Sequence, residues 1–382
     1  MADTFLHGVE TVETVTDNGT VSTVKTAVIA LFGTSPTGDV LSLKLCLSET
    51  DDDQFGSSAN ASGTIRQALY EIRKQYKGAI VFVVNLAATD VVTTEVLTSG
   101  IALLTACRHN WGFVPKIFIA PGYSDVVANA DLLRAAAATY RGVDYLDCSS
   151  AMTYATALTS RGTGNQWNAS SNREKLLFPR IYDSANVARP YSAIAAGLRA
   201  KIDNAFGFWY SCSNHTVEGV SAPVIPLGWE LNDPDCQVNQ LNALGITTIV
   251  NVYGEGYKEW GNRNAAYPAA NGVLTFESQQ RLDDITSESI ELAVMKYLDR
   301  PMTKAAIDLV TRTVNDYFNS LISRGALQPG SKCTFEASKN SVAEMANGHY
   351  VWTKTFMGTV PAERITLDSV IDTTLLSNLL TT

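Results

Sequence analysis

Cysteine and histidine are scarce in this chain, and neither is clustered. The six cysteines, Cys46, Cys107, Cys148, Cys212, Cys236 and Cys333, are widely separated and form no CxxC pair. Such spacing offers neither a disulfide framework nor a zinc knuckle and reads as reduced, mostly buried small hydrophobes. The four histidines, His7, His109, His215 and His349, also lie far apart. No HExxH helix exists, and nothing in the sequence marks a histidine beside a serine and an aspartate. Cys212 and His215 have CxxH spacing, but a metal needs further ligands that the sequence does not name. Phosphate loops are missing as well. There is no P-loop signature, Gly254, Gly256 and Gly261 miss the dinucleotide spacing, and the stretch from Gly33 to Gly38 does not fit a nucleophile elbow. No catalytic residue, metal site or cofactor is expected.

Long apolar runs are absent too. The strongest, residues 79–88 (AIVFVVNLAA), is too short for a bilayer, which takes about 20 residues. The first residues lack a charged segment followed by an apolar core, so no leader is expected and the chain is read as made and kept in a cytoplasm. Net charge is −9 and Lys and Arg are not clustered, which argues against nucleic acid as a partner. Asp51, Asp52 and Asp53 form the densest acidic run. Three consecutive carboxylates do not converge on one ion as a calcium loop requires, so they read as a solvated loop that caps the next segment.

What is present is a large apolar fraction, 46% of 382 residues, enough for about two or three packed domains. Residues 11–16 and 21–24 alternate polar and apolar around an Asp17-Asn18-Gly19 turn. They read either as a hairpin or as an arm that needs partner strands, because a lone ribbon is marginal in water. From 26 to 205, apolar runs at 27–32, 79–86, 116–120, 143–147 and 176–182 alternate with helical patterns at 65–76, 92–108, 125–141, 151–160 and 191–204. This predicts an α/β part with a largely parallel sheet, with Ser124 or Asp125 capping the helix near 125. Residues 206–275 are rich in Gly, Pro, Asn and Trp and read as irregular, with a short strand at 247–252. From 276 to 360 the pattern is α+β: a helix ending before Pro301, then one capped by Thr303 with Ile307, Val310, Val314, Tyr317 and Leu321 on one stripe, then strands at 333–337 and 349–357. Residues 361–382 read as a terminal strand at 364–371 and a short apolar tail. Lys304, Asp308 and Arg312 share the polar face of the second helix, either as a solvated ladder or as a docking face. Trp209, Trp229, Trp260 and Trp352 read as core or interface anchors rather than a sugar or base platform.

Several stretches, in order, resemble the contractile tail sheath proteins of temperate myophages and R-type bacteriocins. They are Phe5-Leu-His-Gly-Val-Glu10, the strand at 22–33, Leu47 to Gly56, and Ile119-Ala-Pro-Gly-Tyr-Ser124. The specific pair is the block Gly207-Phe208-Trp209 through Asn214 to Val220, followed by Trp260-Gly-Asn262-Arg263. Cys212 departs from the family, which has proline there.

The resemblance implies an outer α/β part, a C-terminal α+β inner domain lining a tube, and extended arms that add strands to neighbouring subunits. On it, Val9, Val12 and Val15 belong to the N-terminal arm (1–25) and Ile365, Leu367 and Val370 to the C-terminal arm (361–382). It also makes Lys304, Asp308 and Arg312 a tube-facing helix, and Phe208, Trp209, Asn214, Trp260, Asn262 and Arg263 a core motif. It implies a homo-oligomer of stacked rings around an inner tail tube protein, bounded by baseplate and tail terminator proteins, with no membrane contact of its own. The sheath is assembled in a bacterial cytoplasm and contracts from a metastable extended state. The rival readings are an α/β hydrolase with an unrecognised site, and a tube or baseplate part, against which the length of the chain counts.

Overall fold

The run Val28–Thr34 is an inner strand of an eight-stranded sheet, buried along its whole length. The computed structural model describes residues 21–57, 62–162, 165–167 and 171–379; Val9, Val12, Val15 and the predicted N-terminal hairpin lie outside the described residues. In chain order the first part runs β1 (Val28–Thr34), β2 (Ser42–Cys46), α1 (Glu49–Asp52), α2 (Ile65–Gln75), β3 (Ile80–Ala87), α3 (Thr94–Ala102), α4 (Thr105–Trp111), β4 (Ile117–Ile119), α5 (Val127–Tyr140), β5 (Val143–Asp147), α6 (Tyr154–Leu158) and β6 (Glu174–Leu177). It continues with β7 (Ile181–Asp183), β8 (Ala188–Arg189), α7 (Ser192–Ala205), β9 (Val220–Pro223), α8 (Gln237–Asn242), β10 (Ile246–Asn251) and β11 (Tyr257–Trp260). The last part is α9 (Glu277–Val294), α10 (Lys304–Ser323), β12 (Lys332–Phe335), α11 (Val342–Ala346) and β13 (Trp352–Thr355).

The main sheet has the order β11-β10-β6-β5-β4-β1-β3-β2. Its six inner strands are parallel, and only the edge strands β2 and β11 run antiparallel. Successive side chains of a strand point to opposite faces. Ile29, Leu31, Val81 and Val83 accordingly pack against α2 and α7, through Ile65, Leu69, Ile72, Ile194, Leu198 and Ile202. Val28, Ala30, Phe32, Phe82 and Val84 pack on the other side against Leu97, Cys107, Leu133 and Ala137. A third cluster joins Leu282, Ile285 and Ile290 of α9 to Val314, Tyr317, Phe318 and Leu321 of α10, and takes in Val21, Phe208 and Trp209. Each such side chain, fully buried, contributes about 1.5–3 kcal/mol. The hydroxyl of Thr303 accepts from Ala306 N at 3.2 Å and starts α10, as its sequence predicts.

Several elements differ from expectation. The run at 176–182 is two strands, β6 in the main sheet and β7 in a small sheet with β8 and β9, because Pro179 has no amide to continue the ladder. The helix expected at 92–108 breaks into α3 and α4, where Thr105 Oγ1 bonds back to Ala102 O at 2.9 Å. Neither Ser124 nor Asp125 caps α5, whose cap position is Val126; Ser124 is drawn instead to Asp147. The acidic run is not a solvated loop. Ser48 and Asp51 form a capping box on α1, and Asp52 is buried in an ion pair with Arg73 at 2.9 Å. Residues 206–275 are less irregular than they read, since β10 and β11 extend the main sheet. The expected strand at 364–371 pairs with no strand among the described residues and is irregular and exposed, because a strand's amides and carbonyls need a second strand.

Candidate functional site

The two most specific sequence blocks are side by side in space. Residues 214–217 run along the open edge of β11: Asn214 N donates to Glu259 O at 2.7 Å, Glu259 N to His215 O at 3.1 Å and Val217 N to Tyr257 O at 2.9 Å. Asn214 takes a left-handed conformation, φ 64°. Gly207, at φ +118°, has its backbone so close to the Trp209 ring that a Cβ would come within 2.4 Å of it. That turn sends Phe208 and Trp209, packed edge to face at 5.1 Å, into the core between α9 and α10, with Arg324 over the Trp209 ring at 4.8 Å. Trp260 packs edge to face on Trp229 at 5.4 Å, and the Asn262 carbonyl accepts from Glu277 N at 3.1 Å, at the start of α9.

Arg263 comes directly after. Its guanidinium lies 3.7 Å from the centre of the Phe276 ring and 4.8 Å from that of Tyr267. It donates to Thr275 Oγ1 and grips Glu363 with both Nε and Nη2, the shortest contact being 2.6 Å.

Beneath these blocks lies a feature absent from the sequence-based expectations. One stripe of α9 carries Glu277, Arg281, Asp284, Glu288 and Glu291, spaced four, three, four and three, so all five lie on one face. Every one meets an opposite charge from the α/β part. Glu277 accepts from Lys175 at 2.9 Å and from Tyr145 Oη at 2.6 Å, and Arg281 pairs with Asp203 at 2.6 Å. Asp284 pairs with Arg173, Glu288 with Lys116 and with Arg108 at 2.8 Å, and Glu291 with Arg141 at 2.8 Å. Asp203 also pairs with Arg199, whose Nη1 donates to Tyr210 O at 2.6 Å and so ties the 207–220 block into the seam. Lys175 is shared with Glu259 at 2.6 Å.

Burial works against these charges, and at Asp203 and Glu277 the partners outweigh it. Asp203 is held down to about 2 by Arg199 and Arg281 against its burial, and Glu277 to about 2 by Lys175. One lysine cannot fully serve two carboxylates, and burial leaves Glu259 raised. Burial pushes the Cys212 thiol up to about 12, so it stays protonated.

The crevice where a parallel sheet of this order usually takes a ligand lies outside the strand ends between β1 and β4. Here protein fills it. Thr34 Oγ1 donates to Asp90 Oδ1 at 3.1 Å and lies 3.1 Å from Tyr123 Oη, while Thr34 N donates to Thr64 Oγ1 at 3.1 Å. Next to it, Asp147 accepts from Ser192 Oγ at 2.6 Å and from Ser124 Oγ at 3.3 Å. Burial pushes Asp147 up to about 6, against these bonds, and among the described residues no histidine joins it.

A model of the phage tail sheath protein central domain matches residues 91–265. Along 97% of its length the chain is 30% identical to the tail sheath protein of Burkholderia phage BcepMu, of which it covers 98%. The chain belongs to the tail sheath protein family. It is 24% identical to the tail sheath protein of Escherichia phage P2, with 99% of this chain and 98% of that one aligned. Its fold matches the sheath complex of PVC, an extracellular contractile injection system in the contracted state, with a TM-score of 0.75 at 17% identity over 98% and 99% of the two chains.

This tail sheath protein carries the remaining sequence-predicted residues among those described on its surface. Lys304, Asp308 and Arg312 are exposed on α10, and no ion pair joins them among the described residues. The Asp308–Arg312 rung of the predicted ladder is therefore not made. Ile365, Leu367 and Val370 are 78–85% exposed. A sheath subunit with three large apolar side chains exposed on an unpaired segment has surface left to bury.

Proposed function

We propose that this sheath protein is the repeating subunit of stacked rings that surround an inner tail tube in a metastable extended state and contract to drive the tube through a target envelope. The 30% identity to a phage tail sheath protein over nearly the full length of both chains carries this reading. Residues 276–360 form the inner, tube-lining part, and 26–205 the outer part, with 206–275 between them. Residues 1–25 and 361–382 are arms that add strands to neighbouring subunits. Strand addition takes its affinity from main-chain hydrogen bonds and its specificity from alternate side chains, and the unpaired segment at 364–371 supplies both. The small β12–β13 sheet, paired from Lys332↔Thr355 to Phe335↔Trp352, offers edges to receive such a strand. Assembly takes place in a bacterial cytoplasm, the finished sheath belongs to a virion or a phage-tail-like particle, and baseplate and terminator proteins hold its two ends.

No catalysis is part of this function. The serine-aspartate grouping at Asp147 is buried and serves to seat α7. Contraction needs no nucleotide when energy is stored in packing. Inverting a population from 1:99 to 99:1 takes about 5.5 kcal/mol, which is near 1 kcal/mol per subunit when about six switch together.

Electron microscopy of the purified protein at rising concentration tests the reading. Wide hollow cylinders with a helical surface are expected, by themselves or once tube and baseplate are added. Discrete particles under both conditions would overturn it.

The exposed face of α10 is the tube-facing surface on this reading. Lys304→Glu combined with Arg312→Glu should lower the thermal midpoint of the subunit only slightly, through repulsion from Asp308 four residues from each, because neither side chain has an ion-pair partner among the described residues to lose. Extended sheaths on tubes should become rare. Equal numbers of sheathed tubes for variant and wild type would remove α10 from the tube interface.

A further inference from the structure

We infer that Arg263 and Glu363 form a clasp that fixes where the C-terminal segment leaves the subunit, and so how much free chain is available to reach a neighbour. The inference rests on the reading of that segment as an assembly arm.

The chain is fastened as far as Thr359. Gln328 N donates to Met357 O at 2.8 Å, Thr359 N to Ala326 O at 3.0 Å, and Gln279 Nε2 to Thr359 O at 2.7 Å. At Gly358 the backbone is pressed onto α9: a Cβ there would meet Gln279 and Leu282 at 2.1 and 2.2 Å. Val360, Pro361 and Ala362 make no hydrogen bond among the described residues. The next hold on the chain is Glu363, and it is a two-pronged one. After it, residues 364–371 again make no hydrogen bond among the described residues, and Ile371 is 92% exposed.

The geometry argues against a role in folding. The Glu363 side chain is 46% exposed, and ion pairs open to water add little to stability. Arg263, in contrast, is held ready whether or not Glu363 is there, by the Phe276 and Tyr267 rings and by Thr275. A planar guanidinium fixed in this way accepts a carboxylate in one orientation. The pair therefore sets position. With the clasp closed, the eight free residues 364–371 reach about 26–29 Å; with it open, the four residues 360–363 add about 13–14 Å of slack.

Spin labels at two introduced cysteines test this in the full-length chain, kept dilute and unassembled. The six native cysteines are buried, so Asn319→Cys on α10 and Leu367→Cys on the segment take the labels. Leu367 lies four residues beyond Glu363 and eight beyond Thr359. Because the spread of a free chain grows as the square root of its length, Glu363→Ala should broaden the distance distribution about 1.4-fold. Glu363→Asp, which keeps a carboxylate, should recover part of the narrow distribution, and the thermal midpoint should not move in either variant. An unchanged distribution in Glu363→Ala overturns the clasp and leaves the sheath reading standing. Deletion of residues 364–382 separates the two: if that chain polymerises like the full one, the arm reading fails, and the clasp with it.

Discussion

A chain trimmed to run from Val21 to Glu363 will be folded and monomeric, and will form no cylinders at concentrations where the full chain polymerises. The endpoints are set by the packing. Val21 is buried between α9 and α10, Val24 N donates to Ser289 Oγ at 3.1 Å, and Thr23 Oγ1 lies 3.2 Å from Tyr317 Oη. A cut before Val21 therefore spares the core, whereas one after it does not. At the other end, a cut after Glu363 keeps the clasp. On the proposed reading, the segments removed add strands to other subunits. Each main-chain bond nets about 0.5–1.5 kcal/mol, so about six of them contribute several kcal/mol, a hundredfold or more in association. Sedimentation velocity gives the oligomeric state and calorimetry the fold. Cylinders from the trimmed chain, at the concentration dependence of the full one, would show that the arms do not hold the lattice together.

Asp203→Ala should be among the most damaging single substitutions in the molecule. It leaves Arg199 and Arg281, both buried, facing each other without the carboxylate that lies between them. Removing one partner of a buried pair costs about 3–5 kcal/mol, and here two pairs lose the same partner. Urea denaturation should show a large fall in midpoint or no cooperative transition, and a midpoint close to that of wild type would mean that the seam contributes little. The same groups set a pH dependence. Asp203 and Glu277 titrate near 2 when folded and near 4 when unfolded. Their contribution is complete above about pH 4 and is lost as pH falls from about 4 to 2. Asp147, raised to about 6, works the other way and lowers stability as pH rises from about 4 to 6. Stability should therefore peak on the acid side of neutrality and drop steeply below about pH 4.

How far an element can be read from the sequence depends on the surface it buries. β1, β3 and β4 are covered on both faces and show as apolar runs, and α10 shows as one apolar stripe. β2 and β11 were not legible, because an edge strand of mixed polarity looks like a loop, and Glu259 in β11 looks solvated although it is fully buried. The seam was hidden for the same reason. Charges at Glu277, Arg281, Asp284 and Glu288 suggest a wet face, and only their matched partners elsewhere in the chain make that face dry. The four-three spacing on α9 was visible; Lys116, Arg173 and Lys175, which answer it, each lie more than a hundred residues away in the chain. The family blocks were legible as a resemblance, and the structure adds that the two most specific ones are neighbours.

The seating of α9 also decides how force crosses a subunit. On one side the helix rests on apolar contacts, which have no preferred direction and let surfaces slide by small amounts. On the other side, sliding would part five charged side chains from their partners, four of them out of reach of water. Resistance to shear is therefore concentrated on the side facing the α/β part, and the two parts move as one stiff piece. On the proposed reading, a displacement imposed by one neighbour would reach the next without being absorbed inside the subunit, so the work released in a collapsing lattice would be available at its end.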